Sequence, residues 1–318
     1  MMRSLYSGIS GLRNHQTRMD VIGNNISNVN TIGFKASRTI FQDVFSQTVQ
    51  SGSSNQAAEW GSGGTNPIQI GLGVRLATID VLHGPAPMQR TDRALDMMIN
   101  GDGYFVVGMP NVNHDDPFDP DPDSGTIQRF DYMFTRAGDF RLDNEGYLVT
   151  STGYYVMGYA VAPEEEDGTP IDLEDYDPDT HGPIFWRRVV DTLPMAIKVE
   201  DDQVGISVDN DGFVKIIQNN RSVPIFQLAL AMFANNEGLE RAGNSLYREG
   251  TSSGQAQIDV VNGEYSAGTV SSGGLEMSNV DLATEFTDMI VTQRGFQANS
   301  RIITVSDTML EELVNLKR

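Results

Sequence analysis

The chain is expected to fold as an α+β protein. Long N- and C-terminal helices would form a coiled-coil core domain, joined to an antiparallel all-β domain that carries an acidic insertion. Three observations lead there. Apolar residues recur at helical steps at both ends of the chain. Two segments in the middle repeat one hairpin plan. The spacing of the other strand-like runs suits an antiparallel sandwich or barrel better than βαβ units.

The first element, within residues 1–30, is a helix. Leu5, Ile9, Leu12, Met19, Ile22, Ile26 and Val29 fall at three- and four-residue steps, with Gln16 in the one gap. It exits into a cluster of amides, Asn24, Asn25, Asn28 and Asn30, followed by Gly33, Phe34 and Lys35. Short amide side chains can bond backbone groups at a helix end and tolerate left-handed backbone, so they compete with further helix. Gly33 then breaks the helix, and Phe34 can anchor the chain that follows. Residues 31–72 read as a connector, with the Gly/Ser-rich run Gln50 to Gly73 as an extended linker.

Residues 73–160 begin the β domain, and residues 204–275 complete it. FRLDNEGYLV (Phe140 to Val149) and ISVDNDGFVKI (Ile206 to Ile216) each place an Asp-Asn-acid-Gly turn between alternating strands. Gly146 and Gly212 supply the positive φ such turns require. Further strands are expected around Val74–Leu82, Met97–Val107, Tyr154–Val161, Ile225–Phe233 and Gln257–Val261. Two acidic stretches interrupt the pattern. Asn111 to Asp131 holds six acids and three prolines, and Glu164 to His181 holds nine acids. Like charge and proline disfavour burial, so residues 111–131 read as a solvated loop and 161–203 as an acidic insertion or small outer domain.

The last element, residues 276–318, is a second helix. Leu282, Phe286, Met289, Phe296, Ile303, Leu310 and Val314 follow one heptad ladder, with Gln293, Ser300 and Asp307 as polar rungs. Ile290, Ile302, Met309, Leu313 and Leu316 widen the apolar face. Ser278 or Asn279 would cap it, with Asp281 in the first turn. Without a proline from Val280 to Leu316, it would run for roughly 55 Å at ~1.5 Å per residue.

Composition excludes several functions. A formal charge of −21 argues against nucleic acid and anionic membrane surfaces, which need Lys/Arg patches. Cysteine is absent, which removes thiolate chemistry and Cys-type zinc sites. Nothing approaches the eighteen apolar residues of a membrane span, and Met1 to Leu12 lacks the apolar core of a secretion signal. Asp119, Asp121 and Asp123 alternate like a calcium loop, but Ser124 stands where glycine belongs and Phe130 where the bidentate glutamate belongs. Gly101-Asp102-Gly103 lacks a third glycine and a following helix, so it reads as a turn between strands. His15, His83, His114 and His181 show no metal or triad spacing. No catalytic set, cofactor site or metal site emerges, and the chain reads as no enzyme.

The terminal stripes carry the stronger signal. Pairing them with each other would still leave Ile290, Ile302, Met309 and Leu316 uncovered, which implies further partners. Gly8, Gly11, Gly23 and Gly295 each cost roughly 1 kcal/mol of helix propensity against alanine and permit close backbone approach in exchange. The ends are therefore expected to be mobile alone and to order when sister copies pack around them.

These residues resemble a known family. MMRSLYSGISGL and DVIGNNISNVNTIGFK at the start are similar to the signature of bacterial flagellar rod and hook proteins. LEMSNVDLATEFTDMIVTQRGFQANSRIITVSDTMLEELVNL is similar to their C-terminal segment. LDMMINGDGYFVV, YMFTRAGDFRLDNEGYLVT, ISVDNDGFVKI and GLERAGNSLYREG resemble the β-domain blocks in the same order. Within the family the likeness leans toward hook subunits of the compact Gram-positive kind, through Gly23 and Ile26, MIVTQRGFQANSRIITVSD and the ending ELVNLKR. Distal rod subunits are the alternative.

The resemblance implies a helical homopolymer, a tube with a central channel whose inner layers are the terminal helices. As a hook it would be the joint transmitting motor torque to the filament, and the connector would let neighbouring subunits slide. The implied partners are further copies of the chain, the distal rod and hook–filament junction proteins, the hook cap during assembly, and the flagellar type III export apparatus. The implied location is the hook, outside the cell after export. A secreted enzyme or carbohydrate-binding module with helical tails is the reading from another class.

Overall fold

The computed structural model describes residues 2–53, 64–110, 130–164, 185–188, 194–199, 205–218, 221–261, 263 and 268–316. They form an α+β protein with a helix near each end of the chain and antiparallel strands between. The chain divides into two compact units. One comprises Met1–Val29, Ala36–Leu82 and Val280–Arg318, and the other Asn30–Lys35 and His83–Asn279.

The first unit holds α1 (Met2–Ser27), β1 (Ser37–Asp43), β2 (Ser46–Gln50), β3 (Ile68–Gly71), β4 (Val74–Val81) and α2 (Leu282–Asn315). β1 alternates in exposure along its length, as a half-covered strand should, and pairs antiparallel with β4 through a bulge between Ile40 and Phe41. β2 pairs antiparallel with β3. The extended linker expected over Gln50–Gly73 is thus corrected at both ends, because its flanks alternate Thr-Val and Ile-Gln-Ile and close a ladder. The middle of that run lies outside the described residues.

α1 extends for 26 residues and α2 for 34, or about 39 and 51 Å. The cap of α2 is Asp281 rather than Ser278 or Asn279. Its carboxylate accepts from Ala283 N at 3.0 Å and Thr284 Oγ1 at 2.8 Å, while its own backbone stays extended. Those two donors hold its carboxyl below the usual range.

In the second unit the strands follow in chain order as β5 (Met88–Arg90), β6 (Met97–Asn100), β7 (Tyr104–Pro110), β8 (Phe130–Thr135), β9 (Phe140–Leu142), β10 (Leu148–Thr150) and β11 (Tyr155–Glu164). Then come β12 (Phe185–Arg188), β13 (Met195–Ala196), β14 (Gly205–Val208), β15 (Phe213–Gln218), β16 (Arg221–Met232) and β17 (Glu240–Gly243). β18 (Leu246–Arg248), β19 (Gln257–Val260), β20 (Thr269–Ser272) and β21 (Gly274–Glu276) complete it. Among the described residues a sheet runs β14-β15-β16-β11-β7-β8-β18-β17, while β20 pairs β6 and β21 pairs β5.

Alternation splits the central strands between two cores. Phe105 and Val107 of β7 join Leu228 and Leu230 of β16 in one cluster; Tyr104 and Val106 join Ala229 and Ala231 in the other. Both faces are covered, which is why YFVV and LALA read as unbroken apolar runs. The two expected hairpins form with the same turn chemistry. Gly146 N donates to Asp143 O at 3.0 Å and Gly212 N to Asp209 O at 2.9 Å. In each, the amide after the aspartate donates to that aspartate's side chain at 2.8 Å. Gly101-Asp102-Gly103 is a turn between β6 and β7, with both glycines at positive φ.

Most of the two acidic stretches, including Asp119, Asp121 and Asp123, lies outside the described residues. Beyond the second stretch, but still within the expected insertion 161–203, the chain rejoins the sheet. Ala196, Ile197 and Val199 are buried, and β13 pairs β11. An apolar alternation, Met-Ala-Ile-Lys-Val, overrides the acidic average of its surroundings.

Candidate functional site

Within the first unit α1 and α2 pack antiparallel, and small or polar residues make the seam. Gly8 faces Asn299 and Ile303 of α2, and Gly11 meets the Asn299 side chain so closely that a Cβ there would collide with it. A Cβ on Gly295 would come within 2.8 Å of the His15 ring. Arg18 Nη2 donates to Asp288 Oδ2 at 2.9 Å, and Asn25 Nδ2 to Glu285 Oε1 at 2.9 Å. Thr292 and Ser306 of α2 are buried. The glycines let side chains of the facing helix, Ile303, Asn299 and His15, pack directly against the backbone.

The apolar residues take other positions. Ile22 is buried; Leu5, Ile9, Leu12, Met19, Ile26 and Val29 of the same segment are half-buried. On α2, Met289, Phe296, Ile303 and Leu310 are half-buried, while Leu282, Phe286, Ile290, Ile302, Met309, Leu313 and Leu316 are exposed. Phe286 is 50% exposed, Ile290 53% and Leu316 82%. The helix pair therefore mixes small, polar and apolar residues on its inside and still leaves large apolar side chains of α2 exposed, more than a self-sufficient pair would.

The amides after α1 have separate tasks. Asn28 Nδ2 donates to Asn24 O at 2.9 Å, a local bond at the helix end. Asn25 is buried and works at long range: its Oδ1 accepts from Ser37 N at 3.0 Å, and its Nδ2 reaches Ser37 O at 2.8 Å as well as Glu285. Burial raises the Glu285 carboxyl, an effect the Asn25 bond opposes. Asn24 and Asn30 are exposed.

The residues that follow, Asn30–Lys35, belong to the β unit. Gly33 is buried with φ of 66°, and a Cβ there would lie 2.7 Å from Ala137 N, so glycine is required twice over. Its N–H donates to Glu276 O at 2.9 Å. The Arg241 guanidinium covers the half-buried Phe34 ring at 5.0 Å from its centroid and donates to Lys35 O. Lys35 Nζ reaches Glu276 Oε1 at 2.5 Å and Gly84 O at 2.8 Å, with both charged side chains fully buried. Burial pulls the Lys35 ammonium below its ordinary range, and Glu276 opposes this.

Sequence reasoning passed over Lys35, Glu276, Arg136, Arg241 and His83. Their partners are distant in the chain and follow no local period; the one hint was a lysine directly behind an aromatic in a glycine turn. His83 Nδ1 and Tyr104 Oη are 2.6 Å apart. Burial, with Lys35, Arg241 and Arg136 nearby, pushes the His83 imidazole down to about 4. Burial also raises the Tyr104 and Tyr247 hydroxyls. Among the described residues no cluster of His, Asp and Glu is arranged to hold a metal ion, and no helix is long and apolar enough to cross a membrane.

Three family models match the chain. "Flagella basal body rod protein" covers residues 5–35, "Flagellar hook protein FlgE/F/G D1 domain" residues 126–216, and "Flagellar basal body rod FlgEFG protein C-terminal" residues 271–316. The flagellar basal-body rod protein FlgG of Bacillus subtilis is 44% identical over 319 residues and the full length of both chains. The flagellar hook protein FlgE of Borreliella burgdorferi is 31% identical across both full chains, in an alignment of 464 positions. FlgG of the same organism is 32% identical over 323.

Terminal helices with an outward apolar face, together with these relatives, define a structural protein of the bacterial flagellum. The chain belongs to the flagellar rod and hook protein family, to which FlgG and FlgE also belong. Its relatives are structural proteins rather than enzymes.

Proposed function

We propose that this chain is a self-polymerising subunit of the flagellar rod, assembled through its terminal helices. The observation that carries the reading is the set of large apolar side chains of α2 left exposed between Leu282 and Leu316 although α2 is packed on α1. A second copy covering that face would remove it from water and supply the association energy. The helices of neighbouring copies would then pack as a coiled-coil wall, with Leu5, Ile9, Leu12, Met19, Ile26 and Val29 on the α1 side of the contacts. The β2–β3 arm offers further apolar surface, since Phe45, Val49, Ile68 and Ile70 are all exposed.

Length favours rod over hook. The Bacillus FlgG aligns over 319 positions, whereas the FlgE relatives need 464 and 488 for this chain of 318. They carry long insertions that it lacks. The hook reading expected from the sequence stays as the second one, because FlgE of Borreliella burgdorferi still matches from end to end. Under either reading the partners are copies of this chain, the adjoining rod or hook components and the flagellar export apparatus, with the hook cap and the hook–filament junction proteins added if it forms the hook.

Two measurements test this. Purified protein in a polymerisation-promoting salt should form tubes by electron microscopy; a monodisperse globule at high concentration would overturn the polymer reading. Antibody labelling of isolated basal bodies should mark the rod, and labelling confined to the hook would move the assignment there.

A further inference from the structure

Glu276, the last residue of β21, gathers groups from three other stretches of the β unit. Its Oε1 accepts from Lys35 Nζ at 2.5 Å and from Ala86 N at 3.2 Å, and its Oε2 from Arg136 Nη1 at 3.4 Å. Its backbone carbonyl accepts from Gly33 N. The Arg136 guanidinium also donates to Ile99 O at 3.3 Å and Gly101 O at 2.8 Å. Lys35, Arg136 and Glu276 are all buried, and Arg241 stands beside them on Lys35 O. Two cations, Lys35 and Arg136, thus converge on one carboxylate. Arg136 also touches the sheet, with its guanidinium 5.4 Å from the Tyr104 ring centroid, whereas Lys35 reaches the Gly84 carbonyl outside the strands.

We propose that Glu276 is a closure latch for the Asn30–Lys35 segment. The segment docks on the β unit only once β21, 241 positions beyond Lys35, is in place, and it releases locally when the latch charge is lost. The arithmetic of charge makes the latch asymmetric. Without the Glu276 charge, both Lys35 and Arg136 are left as buried cations with no counterion among the described residues, the costly case for an ion pair. Without the Lys35 charge, Glu276 keeps Arg136. The early end of the β unit is thereby held open until its late end arrives, which couples docking to completion of the chain.

Hydrogen exchange on the full chain tests this, with Glu276→Gln and Lys35→Met as paired variants. In Glu276→Gln, amides of residues 31–35 should exchange about a hundredfold faster, while those of β7 and β16 change less than about threefold. Lys35→Met should accelerate residues 31–35 by less than about tenfold. Unchanged exchange of residues 31–35 in Glu276→Gln overturns the latch. So does loss of protection in β7 and β16 together with that segment, which would make the carboxylate an ordinary core support. An effect of Lys35→Met equal to or above that of Glu276→Gln also overturns it.

Discussion

Asn25 and Asn28 are the same residue type three positions apart, and they do unrelated things. Asn28 bonds its own helix end, which sequence reasoning anticipates for an amide in such a place. Asn25 spends both ends of its amide on Ser37 and Glu285, and no local pattern announces that. Gly33 shows the same division. Its role as a helix breaker was legible; its close approach to Ala137, which depends on a chain segment a hundred residues away, was not. His83 carries a testable consequence. Its imidazole titrates near 4 in the fold and near 6.5 when unfolded, so the unfolded state binds more protons between those values. The stability contribution is complete above pH 6.5 and is lost as pH falls toward 4. The expected loss is about 1–2 kcal/mol once solvent screening of this half-buried ring is allowed for. Urea unfolding between pH 8 and 4 checks it; His83→Gln should flatten the slope in that window.

For the helices, extent was legible and facing was not. A periodic pattern counts apolar side chains, and it finds a helix at each end, with α2 starting at Leu282 rather than at residue 276, where β21 ends. Yet Gly8, Gly11 and Gly295 lie at the contact between them, and Thr292 and Ser306 are the buried residues of α2, all of which such a count treats as gaps. The glycines are not equivalent. Gly11 is closed off by Asn299, whereas nothing lies within 4 Å of a Cβ at Gly23. Gly11→Leu should therefore destabilise the helix pair by about 1–3 kcal/mol through overpacking. Gly23→Ala should stabilise it by up to about 1 kcal/mol from helix propensity. Urea titrations followed by far-UV circular dichroism separate the two signs. If Gly23 is kept free for a neighbouring copy, the stabilised variant will assemble poorly despite its firmer helix.

For the molecule as a whole, local chemistry was readable and long-range pairing was not. The Asp-Asn-acid-Gly hairpins were legible because turn and strands sit within one short window. The order β14-β15-β16-β11-β7-β8 was not, since β16 and β11 meet across the acidic stretch. The buried Ile197 was hidden for a related reason, a short apolar alternation averaged away by acidic neighbours. Assembly belongs to this scale. Phe286→Ser with Ile290→Ser removes exposed side chains, so monomer stability should move by no more than about 0.5 kcal/mol per site. Polymerisation in vitro and swimming in a complemented deletion strain should both fail. Normal assembly of that double variant would show that this face of α2 is not where copies meet.

The two units also share an unusual covalent arrangement, because the backbone passes between them at residues 29–30, 35–36, 82–83 and 279–280. In the polymer proposed above, a tensile load drawn through one subunit would be divided among several strands of peptide rather than borne by one. A nick in any single passage would leave three intact, so a clipped subunit of that polymer should give two bands on a denaturing gel and still one particle.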